Sequence, residues 1–255
     1  DITYLGIEES LRHNNTGVDL IITPTTASHS PNLAVATING KPRRMLKQPS
    51  GDARNFTLHT QSDSFTSPDG YTIFIVARVY GTSVVSYNKV LGGDIAGNSK
   101  INGVYYSAQS FAFAGNSYSA SFLGKNTYGQ ANHITTYPSN HLICCRINNT
   151  SEQFATGLIK GQIFESGELI AQSDNIVNFS HHNNSTWGNS QGAFNLNDNN
   201  GKIKFFNSNF QEHGCFEYIM FPDVLTAPEM NQVFSYLGNK YGRTITDIQQ
   251  NDLIG

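Results

Sequence analysis

The 255-residue chain carries a net charge of −3 with only 14% charged residues, which offers no electrostatic footing for nucleic acid. Its hydrophobic content of 38% is enough for a core, yet no run approaches the ~20 apolar residues that cross a bilayer as a helix, so membrane insertion is excluded. Three cysteines, two of them adjacent, cannot form a disulfide framework.

Asn, Ser, Thr, Gly and Tyr stand where a typical cytosolic enzyme has Lys, Glu and Ala. Such a neutral polar mix suits many short strands and turns. It is also common on extracellular and virion proteins, so the expected location is extracellular, on a cell surface or on a virion. The chain starts at Asp1 without an initiator Met, and a trimmed or mature form is expected.

Runs of β-branched and aromatic residues recur between Gly/Asn/Ser/Asp punctuation, at a spacing that predicts an all-β sandwich or barrel. In chain order the predicted strands are 19–23, 33–38, 55–60, 71–80, 84–91, 118–123, 141–147, 202–206 and 214–221. The basic cluster Lys41-Pro42-Arg43-Arg44 is too short for a polybasic arm. Cys144 and Cys145 lie within a predicted strand, where they are expected to point to opposite faces and act as small apolar residues; a contact between Cys145 and Cys215 is left open. Gly161 to Ala171 reads as a hairpin turning at Glu165-Ser166-Gly167. In the 214–221 strand, alternation places Phe216, Tyr218 and Met220 on one face and Cys215, Glu217, Ile219 and Phe221 on the other. Both faces are mostly apolar, so this strand is expected to be central and covered on both sides. Thr226-Ala227-Pro228-Glu229 is a capping box with Pro in the first turn. Met230, Val233, Phe234, Leu237 and Tyr241 continue it at helical spacing, and Gly242 ends it.

The stretch "SHHNNSTWGNSQGAFNL" (180–196) contains GNSQG, which fits the Gly-x-Ser-x-Gly pattern of a nucleophile elbow. An elbow requires a strand, a strained turn and then a helix. After Gly192 the chain reads Ala-Phe-Asn-Leu-Asn-Asp-Asn-Asn-Gly, which cannot continue as a stable helix, so the reading as a serine nucleophile is set aside.

The C-terminal stretch "GCFEYIMFPDVLTAPEMNQVFSYLGNKYG" resembles the closing signature of concanavalin A-like, laminin G-like jelly-roll domains. Gly214, Glu217, Phe221, Leu225, Thr226, Glu229, Tyr236, Leu237, Lys240, Tyr241 and Gly242 fill its places. Ile38 to Pro42, Tyr71 to Arg78, His141 to Ile147 and the hairpin around Gly161 to Ala171 are similar to earlier family segments in the same order. The resemblance spans roughly residues 32–243; residues 92–140 depart from it as an insertion-like region. It implies a two-sheet antiparallel jelly-roll sandwich with one C-terminal helix. In that division residues 1–31 are an N-terminal connector or edge segment, and 32–255 form a single laminin G-like domain.

Relatives on this fold include glucanases, which need two carboxylates on one strand face about 5–5.5 Å apart. No Glu-x-Asp-x-Glu run exists here, and Glu217 stands alone. His181 and His182 face opposite ways if extended, which argues against a shared metal and for a solvated loop. Asp198 and Asn200 have calcium-loop composition without a bidentate Glu downstream. An Asx-type turn is the default there, with Ca2+ as the ion if one binds.

Sugar rings offer apolar C–H faces to aromatic planes and hydroxyls to amide and imidazole groups. Trp187, His181, His182, Asn183, Tyr105, Tyr106 and Tyr128 are the expected ligand-binding residues on that chemistry. Several of the tyrosines have the plainer reading of strand or core residues. The expected function is a non-catalytic carbohydrate-binding or adhesion module recognising a cell-surface glycan or receptor, similar to phage tail-fibre and bacterial adhesin domains. Two alternatives stay open: a structural module of a fibre or tip, assembled as a homo-oligomer such as a trimer, and a polysaccharide lyase or hydrolase using His and Tyr.

Overall fold

The computed structural model describes residues 3–6, 12–13, 20–24, 32–47, 54–60, 66–67, 70–80, 88–92, 103–107, 110–114, 138–148, 160–173, 194–195, 202–208, 213–221 and 223–254. The N-terminal part supplies strands β1 (Thr3–Gly6), β2 (Arg12–His13), β3 (Leu20–Pro24), β4 (Asn32–Ile38), β5 (Lys41–Lys47), β6 (Arg54–Thr60) and β7 (Thr66–Ser67). The middle supplies β8 (Gly70–Val79), β9 (Asn88–Gly92), β10 (Gly103–Ser107), β11 (Ser110–Ala114) and β12 (Ser139–Asn148). Then follow β13 (Lys160–Glu165), β14 (Glu168–Ser173), β15 (Phe194–Asn195), β16 (Lys202–Ser208) and β17 (His213–Phe221). Helix α1 (Ala227–Tyr241) and a 3-10 turn (Gln250–Asp252) close the chain.

Among the described residues the protein is all-β and antiparallel with one C-terminal helix, as its punctuated runs predict. One large sheet runs β14-β13-β12-β8-β17-β1-β2, with the β4–β5 hairpin joining it along β17. A second sheet runs β11-β10-β9-β16-β6-β3, and β15 pairs separately with β7. The strands described within the first thirty residues enter both sheets: β1 lies beside β17, and β3 lies beside β6.

Two tight hairpins follow from residues able to adopt positive φ. Asn39-Gly40 (φ 47° and 74°) joins β4 to β5, and Ser166-Gly167 (φ 51° and 87°) joins β13 to β14. Both central residues are left-handed in each, so the turns twist with their strands. At the second hairpin Ser166 therefore shares the strained conformation expected of Gly167 alone.

The large sheet is buried on both faces. Toward α1 it presents Phe74, Val76, Leu142, Cys144, Phe164, Phe216 and Ile219, which pack with Met230, Phe234, Leu237 and Tyr241 of the helix. Phe74 and Phe234 meet edge to face, with ring centroids 5.1 Å apart. On the opposite face Ile73, Ile75, Ala77, Ile143, Cys145, Ile163 and Tyr218 are equally buried.

Strand β17 corrects the simple alternation expected of it. The pairing with β8 slips between Cys215 and Glu217, a β-bulge centred on Phe216. The bulge turns Phe216, Glu217 and Ile219 toward the helix and leaves Cys215 on the opposite face with Tyr218. Cys144, Cys145 and Cys215 are all free and buried. Cys145 lies opposite Ile73 and Cys215 opposite Ala77, four residues apart along β8, so the register keeps those two thiols apart.

Helix α1 begins and ends as its sequence dictates. The Glu229 carboxylate accepts from the Thr226 backbone N–H at 2.8 Å and from its hydroxyl at 2.7 Å. Gly242 is left-handed (φ 63°), and the Arg243 N–H returns to the Gly238 carbonyl at 2.9 Å. The following tail is stapled back by side chains. Asn231 donates to the Ile248 carbonyl and accepts from its N–H, both at 2.9 Å. Buried Arg146 donates from Nε to the Leu225 carbonyl at 3.0 Å and from Nη1 to the Ile254 carbonyl at 2.8 Å.

Candidate functional site at the open end of the large sheet

Of the residues expected to bind a ligand, Tyr105 and Tyr106 lie on β10 in the second sheet. Tyr105 is opposite Ala112 and Lys89, and Tyr106 is opposite Phe111 and Asn88, next to a register shift. Trp187, His181, His182, Asn183, Tyr128, Asp198, Asn200 and the GNSQG stretch lie outside the described residues, as does the predicted strand 118–123. Among the described residues no three His, Cys, Asp or Glu groups stand together as a metal site, and no helix is long and apolar enough to cross a membrane.

Among the described residues, three of the polar clusters on the large sheet bear on a candidate site. The first joins strand to helix. Glu217, whose side chain has no exposed surface, accepts from the Tyr241 hydroxyl at 2.7 Å and the Tyr236 hydroxyl at 3.3 Å, and sits 3.3 Å from Lys240 Nζ. A buried carboxylate is tolerated only with such partners. This cluster gathers four residues of the C-terminal signature and holds the helix in place.

The second stands on the face away from the helix. His141 Nδ1 is 2.6 Å from Glu165 Oε1, and His141 Nε2 is 2.7 Å from Ser139 Oγ. With the carboxylate accepting, Nδ1 carries the proton and Nε2 accepts from the serine hydroxyl, the hydrogen-bond order of a nucleophile–base–carboxylate relay. Arg243 Nη2 lies 3.9 Å from the same Glu165 oxygen. His141 is only 8% exposed and shares a strand face with buried Ile143 and Cys145, so the chain of bonds also anchors the start of β12 to the β13–β14 hairpin.

The third lies where the helix ceases to cover the sheet. Along β8 and beyond it Thr72, Phe74 and Val76 are buried, the last two packed with α1, whereas Arg78 and Tyr80 are half-exposed. One row across five strands reads Asn140, Arg78, Gly214, Lys47 and Asn32. Gly214 allows close packing at its centre: an added Cβ would meet Met45 Sδ and lie 3.5 Å from Arg78 Cβ. Tyr80 leans over this row and bonds Met45 Sδ through its hydroxyl at 3.7 Å. Lys47 Nζ lies 4.7 Å and Arg78 Cζ 5.3 Å from the centroid of the Tyr80 ring. Arg78 Nη1 donates to Asn140 Oδ1 at 2.9 Å, and its Nε–H is buried without an acceptor.

Sequence reasoning missed this cluster. A signal existed in "YTIFIVARVY", where Arg78 interrupts an otherwise apolar run. Lys47 and Tyr80 gave none, because only the strand order brings them beside it.

No known family profile matches the chain, and no curated protein does. Solved structures do match in fold. The binding domain of botulinum neurotoxin serotype G aligns with a TM-score of 0.56 at 13% identity, over 94% of this chain and 53% of that one. A botulinum neurotoxin type C structure, concerned with cell entry through two ganglioside molecules, aligns at 0.52 and 12% identity over 87% and 47%. The binding domain of neurotoxin DC in complex with rat synaptotagmin II aligns at 0.53 and 13% identity over 87% and 48%. The present chain spans about half the length of each. At such identities the likeness establishes a shared fold and nothing finer.

Proposed function

We propose that this protein is a non-catalytic binding module that recognises a glycan on a cell surface. The observation that carries the reading is the fold, which it shares with domains described by their binding of gangliosides and a protein receptor. A rigid sandwich leaves its connecting segments free to vary, which suits recognition. We assign it to the concanavalin A-like, laminin G-like group on its C-terminal signature, and place it outside the cell in a phage tail-fibre or bacterial adhesin setting. Trp187, His181, His182, Asn183, Tyr105, Tyr106 and Tyr128 are the proposed contacts. A glycan array followed by calorimetry on host-type polysaccharides tests the reading; silence in both sinks it.

Hydrolysis is a second reading, favoured by one observation, the Ser139–His141–Glu165 relay. Its weakness is position: the imidazole belongs to a packed face, whereas a general base must reach substrate directly or through one water. We therefore read the relay as a brace between strand and hairpin.

A further inference from the structure

We infer that the outer edge of β4 is a docking site for an extended, acidic segment of a protein partner, which adds to the large sheet as a further strand. The inference goes beyond the glycan reading and stands apart from it. β4 pairs with β5 in an unbroken register over Asn32–Ile38, and among the described residues no strand pairs with its other side. Alternate residues of such a strand turn N–H and C=O away from the ladder, ready to pair with another chain. Edge strands are ordinarily blunted by shortness, charge, Pro or a bulge. The large sheet's other two ends follow that rule: β2 has two residues, and β14 opens on Glu168 and slips in register against β13. β4 does not. Its sequence NLAVATI is seven residues without charge, Pro or bulge, and Val35 at its middle is 65% exposed.

Charge sets the partner's chemistry. Residues 32–47 hold four of the chain's 16 Lys and Arg and none of its 19 Asp and Glu. Arg43 donates to the Lys240 carbonyl, but Lys41 and Arg44 are exposed, and among the described residues neither meets a carboxylate. Lys41 lies opposite Ile38, and Arg44 lies opposite Val35. A strand added beside β4 continues both rows at roughly 10 Å, two strand spacings, from each cation's Cα. Long basic side chains and a Glu bridge that gap between them. Ile38 and Val35 are three residues apart, so their rows lie on opposite faces. The segment that fits therefore carries two carboxylates three residues apart, one on each face, with β-branched residues around them. A second copy of this chain would bring the same uncharged β4 and the same basic β5, so it supplies no counter-charge.

The test is an amide-shift titration of the isotope-labelled intact chain with the peptide acetyl-Gly-Thr-Glu-Val-Thr-Glu-Val-Thr-Gly-amide. Its Gln-for-Glu counterpart and a backbone N-methylated copy run beside it. We expect shifts centred on 33–38 and a Kd of about 0.1–1 mM, as suits one short added strand. Both control peptides should bind about fivefold or more weakly, and salt should weaken the acidic peptide. The double reversal of Lys41→Glu with Arg44→Glu, both at exposed positions, should lose the acidic peptide and gain a Lys-bearing one, with circular dichroism unchanged. No shifts at β4 up to millimolar peptide, equal binding of the Glu and Gln forms, or an unchanged preference in the reversed variant overturns the site. Sedimentation showing a dimer of the free chain that the peptide dissociates also overturns it, because a second copy then holds the edge.

Discussion

The Tyr241 hydroxyl donates to Glu217 Oε2 across 2.7 Å, joining the last residue of the helix to the central strand beneath it. The carboxylate is fully buried, so each donor around it counts. Tyr241→Phe deletes one donor and keeps the ring against Phe216. It should cost about 1–3 kcal/mol, lowering the thermal midpoint by roughly 2–4 °C for each kcal/mol lost. Tyr236→Phe, at the longer 3.3 Å bond, should cost less. Urea melts of both variants check the order.

A turn glycine supplies the next test. Gly167 combines φ 87° with a backbone so close to Thr246 that an added Cβ would strike its carbonyl. The Thr246 N–H also bonds the Ser166 carbonyl at 2.9 Å, so the hairpin and the tail meet here. Gly167→Ala should destabilise the protein by roughly 2 kcal/mol or more. Gly40→Ala, equally left-handed but in open space, should cost only the backbone strain. Equal losses in the two variants would refute a steric contribution from Thr246.

The three thiols are predicted to be inert. Burial pushes the Cys144, Cys145 and Cys215 thiols well above the ordinary range, so the reactive thiolate is scarce. Iodoacetamide at pH 8 should label none of them in the native protein and all three in urea. Rapid native labelling of any one would contradict the burial.

Acid should loosen the start of the helix. Bonds from the Thr226 backbone N–H and hydroxyl hold the Glu229 carboxyl below the usual carboxylate range. A depressed folded pKa contributes stability above the unfolded value, and that contribution is lost as pH falls through the folded one. Glu229→Gln should flatten the acid limb of a stability–pH curve. Alkali should act at the other end. Burial lowers the Lys240 pKa, but its bond to Tyr236 and the charge of Glu217 outweigh that and leave it raised above 10.5. Its contribution is present below 10.5 and lost as pH rises through the folded value. Lys240→Met should remove that alkaline loss, measured by urea melts between pH 9 and 11.

The relay gives a further prediction. If Ser139 and His141 brace the sheet, Ser139→Ala should leave any background hydrolysis of a chromogenic acetyl ester unchanged. It should lower stability by about 1 kcal/mol through the lost hydrogen bond. A fall in ester turnover of tenfold or more would instead favour the hydrolase.

Local signals were legible where one stretch of chain carries its own reason. Thr226, Glu229 and Gly242 bound the helix because capping is decided within a turn, and alternating apolar runs located most strands to within a few residues. The Asn39-Gly40 hairpin was equally legible in principle, since that dipeptide favours two positive φ values. The Phe216 bulge was not. A slipped register depends on the partner strand, and β17 alone reads as a regular alternation.

Sequence by itself therefore determined an all-β chain closed by one amphipathic helix, because strand and helix periods and caps are short-range properties. Only the tertiary structure decided that Glu217 meets Tyr236, Lys240 and Tyr241, and that Lys47 and Arg78 meet over Tyr80. Those encounters join residues that are distant along the chain and close only once the strands are ordered and in register.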